Sequence, residues 1–288
     1  VAERRLQLLV ALLLASAVAL AALLAGPAGA KLSFRKVASK ELEAKDERSV
    51  KAKCSSGARR HLISGGFASQ SPLTEGARST IAAFRSAPIG AREWKLTAAN
   101  FEGDPAKVSA SVLCSKSDPE VRVRSTRVDA PAGRETKAVA RCHKREEAIA
   151  GGFSAPESKI GKKKPEVIAV ESRRSAPRKW RVVAYNNAGD ADGELKAFVR
   201  CSRQRPGLET VEVEGVAVDQ APVELRPRCP RGEQLWSGGF VGSFDSFEPF
   251  AAIVADSSYA NGRRWVSRFV GYQAGGRIKA FAYCRPGA

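Results

Sequence analysis

A Ser-His-Asp or Cys-His centre needs an imidazole within hydrogen-bond reach of a nucleophile, and this sequence offers two, His61 and His143. His61 stands four residues before a Gly-Gly-Phe triplet, whereas His143 directly follows Cys142. Counted back from the later triplets, the positions matching His61 are Glu147 and Gln234, so no base recurs. Solvated histidine is the simpler reading. The densest acidic stretch is Asp190-Ala191-Asp192-Gly193-Glu194, which could serve as glycosidase carboxylates or calcium oxygens. Its counterpart Ala274-Gly275-Gly276-Arg277 has no acid, so a plain hairpin turn is favoured. A Gly-rich phosphate cradle needs a helix after the glycines, and a turn follows here. No catalytic residue, cofactor site or metal site is assigned.

Basic charge is the more informative chemistry. The net charge is +18; Lys162-Lys163-Lys164 sits on an expected loop, and Arg173 and Arg174 with Arg178, Lys179 and Arg181 flank Trp180. Such a patch suits an anionic wall polymer, an acidic polysaccharide or extracellular nucleic acid. Aromatic content is only 7%, with no spacing for base stacking, which disfavours specific nucleic-acid recognition.

Residues 1–30 read as a signal peptide: Arg4 and Arg5, an uncharged run Leu6–Gly26, a helix break at Pro27, and the small residues Ala28-Gly29-Ala30. The alternative is an uncleaved N-terminal helix that anchors the chain. Either way the remainder is expected to be secreted or at the cell surface, with no membrane insertion after the leader. Six cysteines then read as disulfides, Cys54, Cys114, Cys142, Cys201, Cys229 and Cys284.

The elements that must carry these residues recur. Gly-Gly-Phe occurs at Gly65-Gly66-Phe67, Gly151-Gly152-Phe153 and Gly238-Gly239-Phe240, followed by Trp94, Trp180 and Trp265. A cysteine precedes each triplet and another closes each unit, which sets units at 31–116, 117–203 and 204–288. Pairing within units, Cys54–Cys114, Cys142–Cys201 and Cys229–Cys284, lets each unit keep its own staple. Chain-entropy arguments give each link roughly 4 kcal/mol. A between-unit scheme, Cys114–Cys142, Cys201–Cys229 and Cys54–Cys284, respects the same symmetry. Units one and two each carry +8 and unit three +1.

Within unit two, strands are expected at Val121–Val128, Glu135–Cys142, Ala148–Ser154, Val167–Ser172, Trp180–Asn186 and Leu195–Cys201. The joining stretches Val121-Arg122-Val123-Arg124 and Val211-Glu212-Val213-Glu214 alternate apolar and charged residues, the period of a half-buried strand. The expected fold is all-β, three tandem disulfide-stapled units of about 86 residues, with a pseudo-threefold array as one arrangement. The glycine pair is expected at a bulge or a close backbone crossing.

The pattern Cys…Gly-Gly-Phe…Arg-Ser-Ala-Pro…Trp-x-x-x-Ala-x-Asn…Cys resembles a repeat of uncharacterised exported proteins of high-GC Gram-positive bacteria, in which the triplet is often all glycine. It covers nearly all of 31–288, although unit three lacks the Asn and the Arg-Ser-Ala-Pro. A fainter resemblance is to vitelline membrane outer layer proteins, which implies a threefold β-prism; the acidic residues of that pattern are missing here. Neither resemblance transfers a functional residue. The expected function is a non-enzymatic binding or surface-structural role toward an anionic extracellular polymer. The alternative is a hydrolase of a cell-wall or extracellular polysaccharide.

Overall fold

The structure is a computed structural model. It describes residues 32–36, 39–43, 46–55, 61–70, 81–101, 105–155, 166–188, 190–218, 221–242, 253–271 and 275–287. Residues 1–30 and Lys162, Lys163 and Lys164 lie outside them. Among the described residues no helix is long and apolar enough to cross a membrane.

Unit one supplies β1 (Leu32–Lys36), β2 (Lys40–Leu42), β3 (Asp46–Lys53), β4 (His61–Gln70), β5 (Ile81–Pro88), β6 (Glu93–Asn100) and β7 (Ala106–Ser115). Unit two supplies β8 (Val121–Ala130), β9 (Glu135–Arg141), β10 (Glu147–Ser154), β11 (Val167–Ala176), β12 (Lys179–Asn186) and β13 (Gly193–Ser202). Unit three supplies β14 (Glu209–Val216), β15 (Val223–Leu225), β16 (Gln234–Val241), β17 (Ile253–Asn261), β18 (Arg264–Gly271) and β19 (Arg277–Arg285). All six strands expected in unit two form, within a few residues of the expected ends.

No sheet belongs to one unit. One runs β1-β7-β4-β17-β18-β15 with β2 beside β7, a second β3-β6-β5-β10-β13-β8, and the third β14-β19-β16-β11-β12-β9. Each therefore joins half of one unit to half of another, and the β4–β17 pairing brings the last unit back onto the first. The units close into a ring. Its three seams are short: Phe153 faces Ser86, Phe240 faces Ser172 and Phe67 faces Ser258.

The landmarks of the repeat build these seams. Phe67, Phe153 and Phe240 meet edge to face around one centre, with ring centroids 6.2–6.3 Å apart. Trp94, Trp180 and Trp265 are buried, and their indole N–H groups donate to Ser86, Ser172 and Ser258 at 2.8–3.0 Å. The two glycines of each triplet have different work. A Cβ on Gly65, Gly151 or Gly238 would lie 2.2–2.3 Å from the indole of the same unit's tryptophan. On Gly66, Gly152 or Gly239 it would lie 2.0–2.5 Å from the carbonyl oxygen of Ser258, Ser86 or Ser172, across the seam. The expected bulge also exists, but before the pair: Ile63, Ile149 and Trp236 interrupt the registers.

The disulfides are Cys54–Cys114, Cys142–Cys201 and Cys229–Cys284, with Cα–Cα separations of 5.6–5.9 Å. Each ties the two half-sheets of one unit. At the other end of unit two, buried Asn186 donates to the carbonyls of Ala130 and Ala191. Asn100 donates likewise to Leu42. The asparagine that follows the tryptophan is thus a latch between turns.

Candidate anion-binding groove

Among the described residues four carboxylates lie in the interior, and arginine meets each. Glu147 accepts from Arg174 at 2.7 Å and from the N–H groups of Gly207 and Leu208. Glu171 is shared by Arg173 and Arg181. Asp256 receives Arg268 through Nε and Nη2. Burial pushes the Asp256 carboxyl above its ordinary range, against the pull of Arg268. Glu146 accepts from Arg124 Nε at 3.2 Å and from the His143 N–H at 3.0 Å. Burial raises the Glu146 carboxyl, but these donors outweigh it and leave it below the usual range.

This revises the basic cluster read around Trp180. Arg174 is buried against Glu147, and Arg173 and Arg181 share one carboxylate, so these three guanidiniums are engaged within the protein. Arg173 also lies over the Phe281 ring. Arg178 remains exposed, and Lys179 is half-buried.

Instead, free positive charge gathers beside the Cys142–Cys201 bridge. The turn after Cys142 is held by the Glu146 N–H donating to the His143 carbonyl and by Cys142 N–H donating to Arg178. Register sets Arg122 opposite Cys201. The result is a groove of about 610 Å³ lined by Arg122, His143, Lys144, Arg145, Glu146 and Arg203. Arg122, Lys144, Arg145 and Arg203 are exposed and have no carboxylate partner among the described residues, while Glu146 is already bound to Arg124. Preorganised, unneutralised guanidinium and ammonium groups around one concavity favour phosphate, sulfate or carboxylate groups.

Sequence reasoning passed over this groove although a signal was present. Once Cys142 is paired with Cys201, the residues just after each cysteine, His143-Lys144-Arg145 and Arg203, must lie together. The same turn in unit three, Pro230-Arg231-Gly232-Glu233, keeps the hydrogen bond from Glu233 N–H to Pro230 but holds one cation.

The other candidates dissolve into structure. His61 Nδ1 lies 3.4 Å from Asp118, and His143 is exposed at the groove. Among the described residues neither imidazole hydrogen-bonds to a hydroxyl or thiol. Asp192 accepts from the Ala132 N–H and Glu194 pairs with Arg127, the contacts of a plain turn. Cys142, Cys201 and Glu146 lie close enough to suggest a metal site, but both sulfurs are in the disulfide. No protein-family model and no curated protein matches the chain.

Proposed function

We propose that this is an exported, non-enzymatic binding or surface-structural protein that holds an anionic extracellular polymer in the unit-two groove. The supporting observation is the set of exposed cations, Arg122, Lys144, Arg145 and Arg203, around one concavity whose only carboxylate is already paired. Export is supported by the leader-like N-terminus and by six cysteines that are all bridged. The alternative reading is a hydrolase of a cell-wall or extracellular polysaccharide, which measured turnover of such a polymer would favour.

Because every sheet is shared between units, the test uses the full mature chain rather than fragments. Retention on heparin and on double-stranded DNA is measured over a salt series for wild type, for Lys144→Ala/Arg145→Ala/Arg203→Ala, and for a charge-matched control, Lys107→Ala/Arg134→Ala/Lys137→Ala. The groove variant should elute at clearly lower salt than the control, since each lost phosphate or sulfate contact flattens the salt dependence by about one counterion. Co-elution of the two variants, or no retention of wild type at low salt, would reject the groove.

A further inference from the structure

β8 and β14 are each the terminal strand of their sheet, so one edge of each carries no ladder among the described residues. They occupy matching places in units two and three, yet their charges are opposite. β8 presents Arg122, Arg124 and Arg127, and β14 presents Glu209, Glu212 and Glu214. The spacings are mirror images, two then three along β8 and three then two along β14. Laid antiparallel, one register sets Arg122 against Glu214, Arg124 against Glu212 and Arg127 against Glu209. That register also places Val123 opposite Val213. A parallel arrangement cannot match all three pairs. Side-chain alternation agrees, because in each strand two of the charges share one face and the third lies on the other.

Exposed apolar surface is found at the same places. The large hydrophobic residues most exposed among those described are Val123, Val216 and Val218, on β8, at the end of β14 and just beyond it. Of the existing ion pairs, Arg127–Glu194 and those of Lys279 and Arg277 with Glu212 and Glu214 run inward to the neighbouring strand of the same sheet, while Arg124 is held by Glu146 at the groove and contributes least to the docked edge. A docked strand extends these ladders rather than replacing them.

We infer that β8 of one copy of this chain pairs with β14 of another as antiparallel neighbours in the register that sets Arg127 against Glu209. The two edges differ, so the contact is heterologous and repeats from copy to copy. Light scattering and sedimentation of the full mature chain test this, using Arg127→Glu, Glu209→Arg and the double swap; both positions lie outside the groove. Wild type should grow with concentration at low salt and shrink as salt rises. Each single reversal should raise the concentration needed about tenfold, and the double swap should restore it. A wild type that stays monomeric at every concentration would mean that the charges only guard the edges. A double swap as weak as the single variants would exclude the register.

Discussion

The three seams share one frame and differ in what fills its gaps. In each, a glycine admits the backbone of the neighbouring unit, a phenylalanine reaches the common centre, and a serine accepts from an indole. The bulge on the following strand differs: Phe84 in unit one, Val170 in unit two and Asp256 in unit three. The residue before the closing cysteine differs too, Leu113, Arg200 and Tyr283. Two of these reach across a seam, Tyr283 packing on Trp180 and accepting from the Arg174 N–H, and Arg200 donating to the Leu62 carbonyl. Ring closure therefore rests on the small set of residues that must approach closely. The gap-filling positions accept apolar or polar side chains.

The largest effect is expected from the shared frame. Trp180→Ala removes a fully buried indole from over Gly151, strands the Ser172 hydroxyl and should cost about 3–5 kcal/mol. Gly152→Ala is a sharper probe of the seam, since its Cβ would meet the Ser86 carbonyl at 2.0 Å, where only backbone can move. Denaturant unfolding with disulfides intact measures both. A Trp180→Ala chain that kept its stability but lost polymer binding would make the tryptophan a ligand platform.

The closing seam offers the next contrast. Here the Arg268 guanidinium joins Asp256 to the Ser69 carbonyl and hydroxyl of unit one, and the Ser69 N–H donates to Ser257. Unit two has Val170 and Val183 at the matching positions. Arg268→Val alone leaves a buried carboxylate and should cost about 3 kcal/mol, the low end of the range because the guanidinium is still 17% exposed. Adding Asp256→Val converts this seam to the apolar kind and should recover that loss or exceed it. A double variant no more stable than the single one would mean that the ion pair is needed to close the ring.

Much of this frame was legible in the sequence, because the residues that must approach closely recur. Gly-Gly-Phe, tryptophan and the cysteines announced the repeat, the strands and the disulfide pairing within each unit. The exchange of half-sheets was not legible, since period-two alternation says which face is buried but not which neighbour lies beside an edge. The buried ion pairs were hidden for the same reason. Arg174 and Arg181 look like surface charge until Glu147 and Glu171 are brought to them by the fold. The groove lay between these cases, visible only by combining a disulfide with the residues that follow its cysteines.

Arg200 gives the smallest and most diagnostic comparison. Fully buried, it donates through Nη2 to Leu62, while its Nε and Nη1 have no hydrogen-bond partner among the described residues. Desolvation alone pushes its pKa down to about 9, and no carboxylate opposes this. In unit three the matching Tyr283 has a buried but satisfied hydroxyl, and in unit one Leu113 has no polar atom to satisfy. A buried charge that keeps one hydrogen bond while two donors lack partners costs more than it contributes. Arg200→Leu should therefore raise stability at neutral pH by about 1–2 kcal/mol, despite losing the bond to Leu62. The sign can be checked by pH. Because the folded pKa lies below the unfolded one, the penalty is fully present below about pH 9 and fades above it, so the advantage of Arg200→Leu should shrink in alkaline solution. Thermal unfolding of both proteins at pH 7 and pH 10 reads the effect. A less stable Arg200→Leu at pH 7 would show that the guanidinium has favourable partners within the seam, and that all three gap-filling positions are chosen for specific contacts.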